Sequence, residues 1–452
     1  MLKRSLGTSL ALVVGLGLAV TPAFADSQAR IVRLSNVEGA AVVDRNTGQG
    51  YENAFLNMPI TQGMKVATKD DGRAEIEFED GSTVRIGPRT TVEFSALGLR
   101  DTGARFSTVI VEAGVAYVNY NDKHKGDEFT VLFENETVQP TEAAHFRVNL
   151  QATEAELAVF SGELKVEGAS GNVAVSKNKS LTFDLADNNK FTVAKDVEEM
   201  PLDAWDKRQT KYEQAYANKG SYHNYPYGYG VSDLNYYGNY YDVPGYGMMW
   251  QPYFTGVGWS PFADGAWMFY PGYGYMWVSS YPWGWMPYRY GGWSFVPGYG
   301  WMWAPGGFGT WYGVPPVTHP PKRFTSPQPP VRGTATVAVG RSFLGASAGT
   351  PQRVLVQSDT AGLGIQRGTV SNLGKVSHQV QQNGPMSVRT GPPTRIWGSG
   401  SPSGFGGAEG NSHAGSGGSH AGSGGSRAST GGSAGRTGGS SGGHSAPPSR
   451  PR

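Results

Sequence analysis

Between Ala74 and Ile86 the chain alternates by side-chain type. Ala74, Ile76 and Phe78 are apolar, Glu75, Glu77 and Glu79 are acidic, and Val84 and Ile86 alternate with Thr83 and Arg85 beyond an Asp80-Gly81 pair. Asp-Gly is a type I′ turn signal, so the pattern predicts a hairpin with one buried and one wet face. Similar runs follow at Thr91 to Phe94, Phe106 to Val111, Val115 to Tyr120, Phe129 to Phe133, His145 to Leu150, Leu157 to Phe160, Leu164 to Val166, Val173 to Val175 and Leu181 to Phe183, with Gly114, Gly162 and Gly171 between them. About ten short strands without helices predict a mainly β domain over residues 31–195, a sandwich, roll or solenoid.

From Pro201 the period changes. Leu202, Trp205, Tyr212 and Tyr216 recur among Lys, Arg and Glu, which predicts one bridging amphipathic helix over 201–219, with Pro201 suited to its first turn.

An internal repeat occupies residues 235–312. Gly258-Trp259-Ser260-Pro261-Phe262, Gly265, Trp267 and Pro271-Gly272-Tyr273-Gly274-Tyr275-Met276-Trp277 return 26 positions later as Gly284-Trp285-Met286-Pro287-Tyr288, Gly291, Trp293 and Pro297-Gly298-Tyr299-Gly300-Trp301-Met302-Trp303. A third copy of the turn, Pro244 to Trp250, lies 27 residues before Pro271. Each unit predicts a short hairpin, with Pro271 and Gly272 fitting a type II turn inside a four-residue loop that ends on Gly274 at positive φ. Units this short bury nothing alone and must stack on one another or on the β domain.

Of 12 Trp, ten lie between Trp250 and Trp311, and of 23 Tyr, 18 lie between Tyr222 and Tyr312. Two readings stand for these rings. They form the core of the repeat module, or alternate ones face outward as stacking platforms for sugar rings or a partner chain. On the second reading the candidate ligand-binding residues are Trp267, Trp277, Trp285, Trp293, Trp301, Trp303, Tyr275 and Tyr288, with Trp277 and Trp303 as equivalent members of one repeated platform.

Charge divides the chain further. Residues 26–219 carry 31 acidic and 22 basic side chains, residues 220–319 three and one, and residues 320–452 two and 13. Gly 66 and Pro 29 make 95 of 452 residues, against a usual share of about 12%. Residues 320–452 are therefore expected to form a disordered basic tail rich in Gly, Ser and Pro, apart from a weak strand at Thr334 to Val339. Its charge suits an anionic envelope surface better than any specific nucleic acid.

Lys3 and Arg4 precede an apolar run from Leu10 to Val20, and Ala23-Phe24-Ala25 supplies a small-x-small site before Asp26. This predicts a signal peptide over 1–25, cleaved between Ala25 and Asp26, with no transmembrane segment in the mature chain and a periplasmic, secreted or surface-associated location. Cys 0 removes disulfides and thiol chemistry. No His lies between Asn224 and Thr318, and no nucleophile elbow, phosphate loop or His-Glu-x-x-His occurs. The expectation is a protein that is not an enzyme and holds no cofactor or metal.

The run Gly63, Val66, Thr68, Asp71-Gly72-Arg73-Ala74-Glu75-Ile76, Asp80-Gly81-Ser82, Val84, Ile86 and Pro88 resembles the FecR-like β domain. Phe129-Thr130-Val131 and Phe160-Ser161-Gly162-Glu163-Leu164-Lys165-Val166 are similar to its later half. The resemblance implies periplasmic binding or sensing. The cytoplasmic part through which that family's best-known members act on a sigma factor is not expected here. Leu202 to Gly306 is similar to an uncharacterised aromatic repeat module found after FecR-like domains in exported Gram-negative proteins. The expected work is binding of an envelope polymer, peptidoglycan or polysaccharide, or of an envelope protein. The alternative is a sensory or scaffold protein whose aromatic repeats are purely structural.

Overall fold

The computed structural model describes residues 30–340, apart from 226 and 257, and residues 353–389. The expected signal peptide with its Ala25/Asp26 site and the chain beyond residue 389 lie outside the described residues. The protein is mainly β.

Seventeen strands form two sheets around one core. One sheet runs in the order β4 (Pro59–Ile60), β1 (Val32–Glu38), β6 (Arg73–Glu77), β7 (Thr83–Ile86), β9 (Arg105–Tyr120), β12 (Ala144–Leu150), β13 (Glu154–Ser161), β16 (Lys179–Asp184) and β17 (Lys190–Ala194). The other runs β3 (Tyr51–Asn53), β2 (Ala41–Asp44), β5 (Lys65–Thr68), β8 (Thr91–Leu99), β9, β10 (Glu128–Phe133), β11 (Glu136–Pro140), β14 (Glu163–Gly168) and β15 (Gly171–Ser176). Strand β9 belongs to both sheets. The sequence predicts two strands there, split at Gly114. The chain instead crosses from sheet to sheet without a break, with Gly114 at φ 85°, where a Cβ would stand 2.4 Å from Thr90 Oγ1.

Two local expectations need correction. Asp80-Gly81 does not form a type I′ turn, which requires positive φ at both residues. Only Gly81 is left-handed, Gly81 N–H donates to Phe78 O at 2.9 Å, and Phe78 N–H donates to Ser82 O at 2.8 Å. The face predicted to be wet is also covered: Glu75, Glu77, Glu79 and Arg85 are all buried. Alternation shows that the two faces of a strand differ in polarity, and the polar one need not meet water.

The cover begins with helix α1 (Asp203–Tyr216), which buries Asp203, Asp206 and Gln209 together with Trp205 and Tyr212. Asp206, Gln209 and Glu213 follow one another at helical spacing, so the helix lays a polar stripe on the sheet's arginine row. Helix α2 (Val231–Tyr237) then opens the aromatic module.

That module contains three hairpins: β18 (Gly238–Val243) with β19 (Gly247–Pro252), β20 (Gly265–Tyr270) with β21 (Gly274–Ser279), and, after the short helix α3 (Met286–Arg289), β22 (Tyr290–Val296) with β23 (Gly300–Phe308). Tyr246, Tyr273 and Tyr299 N–H donate to Val243, Tyr270 and Val296 O at 2.9, 3.0 and 3.1 Å, and Gly245, Gly272 and Gly298 have φ near 80°. The three Pro-Gly turns are therefore type II. Tyr270 pairs directly with Gly274, so each loop is one residue shorter than the expected four. Across the second hairpin the Trp277 ring lies over the bare backbone of Gly265, and in the first Trp250 lies likewise over Gly238.

Strands β19 and β23 pair, and β24 (Val317–Thr318) extends the five-stranded sheet so formed. Strand β25 (Val337–Val339) adds to β20, within the weak strand expected at 334–339.

The remaining described segment departs from the expected disordered tail. Strand β26 (Arg353–Val356), helix α4 (Leu373–Asn383) and strand β27 (Met386–Arg389) are ordered, and Val356, Ala361, Ile365, Val370, Leu373 and Val380 are buried. Tyr237 Oη donates to Ile365 O at 2.7 Å, Tyr236 Oη to Val370 O at 2.9 Å and Trp283 Nε1 to Ala361 O at 2.7 Å. The segment has too few apolar residues for a core of its own. Its ordering is repaid on the surface of the aromatic module. Among the described residues no helix is long and apolar enough to cross a membrane.

Candidate functional site: a polar cleft over a buried ionic floor

Seven of the eight residues singled out as a stacking platform face inward. Trp267, Trp277, Trp285, Trp293, Trp301, Trp303 and Tyr288 are buried, with 4% exposure or less, and the half-buried Tyr275 donates its hydroxyl to Ala335 O at 2.9 Å. Trp277 pairs in register with Trp267 and Trp303 with Trp293, so the 26-residue equivalence holds, but the two pairs lie in different sheets. The rings pack edge to face: Trp267 and Trp277 centroids are 5.3 Å apart, Trp285 and Tyr229 also 5.3 Å, and Trp250 and Trp303 6.5 Å. The rings fill the interior together with a few other apolar side chains such as Met268, Met276 and Val278.

A second candidate lies on the charged face of β1, β6, β7 and β12. Arg33 sets Nη1 3.1 Å from Glu77 Oε2 and Nη2 2.5 Å from Asp233 Oδ2. Arg85 reaches Glu75 through Nε at 2.8 Å, Asp206 through Nη1 at 2.7 Å and Glu213 through Nη2 at 2.8 Å. Arg367 places Nη2 2.7 Å from Glu75 Oε1, and His145 Nε2 lies 2.9 Å from Asp206 Oδ2. Tyr212 links the two groups, donating its hydroxyl to Asp233 Oδ1 at 2.7 Å beneath the Arg367 guanidinium, and together they tie the β domain, α1, α2 and the 353–389 segment.

Burial acts on these carboxyls unequally. It would raise Glu75, but Arg367 and Arg85 overturn that and hold it below the ordinary range. Asp206 is also lowered, because the nearby His145 and the hydrogen-bonded Arg85 outweigh desolvation. Burial prevails at Glu77, pushed up to about 7 despite Arg33, and at Glu213, raised well above its usual value despite Arg85. Glu77 and Glu213 are the two members of this network that line a cleft of about 650 Å³.

The cleft lies between the β6–β7 turn, the end of β9, α1 and the segment leading into α2. Its acidic side carries Glu77, Glu79, Asp80 and Glu213, Tyr225 and Tyr227 line it as well, and the exposed Lys123, His124 and His223 stand at the rim. Glu79 is matched by a two-point contact from Arg30, with Nε 2.9 Å from Oε1 and Nη2 2.8 Å from Oε2. Backbone joins the two sides of the seam: Gly228 N–H donates to Glu79 O at 2.7 Å and Gly230 N–H to Glu77 Oε2 at 3.1 Å. None of these groups stands out along the chain. The available signal was the polar stripe of α1 opposite a strand face that carries Arg33 and Arg85.

The two halves of this seam correspond to two known families. Residues 64–165 match the family described as FecR protein, and residues 231–322 match a family of unknown function, DUF6600. The chain carries a FecR domain followed by a DUF6600 region. Two crystal structures of a candidate anti-sigma factor from Parabacteroides distasonis are similar at 15% identity. One, at 1.65 Å resolution, aligns over 31% of this chain and 63% of its own with a TM-score of 0.26, so the chain spans less than two thirds of that neighbour's length. The other, at 2.50 Å, aligns over 36% and 82% with a TM-score of 0.27. No curated protein matches the chain.

Proposed function

We propose that the protein is a non-catalytic sensory or scaffold protein of the cell envelope, periplasmic in location, and that it recognises its partner through the cleft and not through the aromatic sheets. The observation that carries this reading is that the cleft is walled by both family modules at once, with Glu77, Glu79 and Asp80 from the FecR domain facing Val231 and Ser232 of the DUF6600 region. A ligand seated there touches both modules, so its binding free energy acts on their junction. The FecR match supports the location and the sensory role. Burial of the Trp rings favours structural repeats over a polymer platform.

Site-specific photocrosslinking in cells tests the reading. A crosslinker at the exposed Gln214 or His223 should trap an envelope component, whereas one at the exposed Tyr299 turn should not. Equal trapping at Tyr299, or none at either rim position, would sink it.

A further inference from the structure

The acids beneath the cleft outnumber the bases. Five carboxyl groups, Glu75, Glu77, Asp206, Glu213 and Asp233, share three guanidinium groups, Arg33, Arg85 and Arg367, and the two excess acids are met by protons, since burial raises Glu77 and Glu213. Buried charge of one sign is costly unless it is neutralised. The two carboxyls that border open space, Glu77 and Glu213, are the two whose burial outweighs their arginine.

Hydrogen bonding shows a matching gap. Glu213 Oε1 is buried without a hydrogen-bond partner among the described residues, its other oxygen being held by Arg85. Thr83, 1% exposed, has an unpartnered Oγ1. Thr83 pairs across the sheet with Glu77 on one side and Asn119 on the other, so all three share one face. Glu77 and Asn119 both line the cleft, and the Thr83 hydroxyl lies in the row between them. The floor therefore offers a carboxyl oxygen of Glu213 and the hydroxyl of Thr83 to a hydrogen-bond donor.

We propose that this cleft binds a protonated primary amine carried on a small polar molecule, its ammonium seated over Glu77 and Glu213 and its body against Tyr225 and Tyr227. An ammonium group offers three donors and one positive charge, so it can take the place of an acid's proton and bond two carboxyl oxygens and a neighbouring hydroxyl or amide oxygen. Tyr227, 40% exposed, gives a ring that a cation can approach from the solvent side. Asn119, Asn121, Thr210 and Ser232 supply further polar groups for hydroxyls on the same molecule. The inference rests on the reading of the cleft as the recognition site and names the class of ligand.

Calorimetry on the full chain, with D-glucosamine, L-lysine and 1,4-diaminobutane as probes, is the test. Saturable binding of at least one is expected, with N-acetyl-D-glucosamine, the uncharged analogue, giving none. Glu213→Gln should weaken binding about tenfold or more, the scale of one charge-assisted hydrogen bond. If that variant melts early, Tyr227→Leu, at an exposed ring, should weaken binding about threefold with an unchanged melt. Failure of all three amines, equal binding of the acetylated sugar, or binding of Mg²⁺ or Ca²⁺ that the amines cannot displace would overturn the proposal. Crosslinking at the cleft rim without amine binding would leave the cleft as a recognition site and remove only its ligand class.

Discussion

Arg33 on β1 and Asp233 on α2, 200 residues apart in sequence, form an ion pair at 2.5 Å with both side chains buried. The same guanidinium donates to Pro282 O at 3.1 Å, and Asn57, which accepts from Arg33 Nε, donates to Ser279 O at 3.0 Å and Tyr281 O at 2.7 Å. The β domain and the aromatic module are joined through polar groups that neither could leave buried alone.

The first prediction concerns pH. Glu77 titrates near 7 in the folded chain and near 4.5 when unfolded, so between those values the folded state holds the extra proton. Stability from this group is complete below about pH 4.5 and is lost as pH rises through about 7, a loss of up to about 3 kcal/mol. Glu77→Gln, which keeps the shape and an acceptor for Arg33, should flatten the fall in melting temperature between pH 5 and pH 8. An unchanged slope would assign that dependence to other groups.

The second concerns the rings. Trp277→Ala and Trp303→Ala should each cost about 3 to 5 kcal/mol, read from denaturant melts, because both side chains are fully buried. Retention on peptidoglycan lost with an unchanged melt would instead restore a platform role.

A third follows from the 353–389 segment. Limited proteolysis of the native chain should spare the bonds between Arg353 and Arg389, and Arg367→Met should expose them. Removing one member of a buried ion pair costs about 3 to 5 kcal/mol, and Arg367 also donates to Gln209 Oε1 at 3.0 Å and lies over the Tyr212 ring. Rapid cleavage in the unmodified chain would contradict the packing described.

These outcomes separate what the sequence can show from what it cannot. The Pro-Gly-Tyr-Gly turns were legible because every atom that fixes them lies within four residues, and the 26-residue offset carried the hairpins with it. The FecR strands were legible by alternation. The ionic floor was not: Arg85 meets Asp206 across 121 positions, and no local pattern tells a solvated glutamate from one that a distant helix will cover. The order of the 353–389 segment was hidden for the same reason, since its few apolar residues bury against a partner surface.

A fourth prediction uses two glycines of the middle hairpin. At Gly272 a Cβ would meet nothing within 4 Å but would carry φ 78°, so Gly272→Ala should cost about 1 kcal/mol. At Gly265 a Cβ would stand 2.5 Å from the Trp277 ring and 2.7 Å from Val278 O, so Gly265→Ala should cost more, about 3 kcal/mol, by pushing the ring from its seat. Melts of the two variants in the reverse order would show that the turn, and not the ring, limits the hairpin.

The sharing of Glu75 between Arg85 and Arg367 sets a timetable for the chain. A polypeptide made from its N-terminus has β6 and β7 in hand early, with Arg85 the only guanidinium yet present for Glu75, while α1, the three hairpins and the segment holding Arg367 are still to come. The FecR strands can pair meanwhile, but their outer face settles only when almost the whole described chain has been delivered. The first domain in the sequence is thus among the last to be finished.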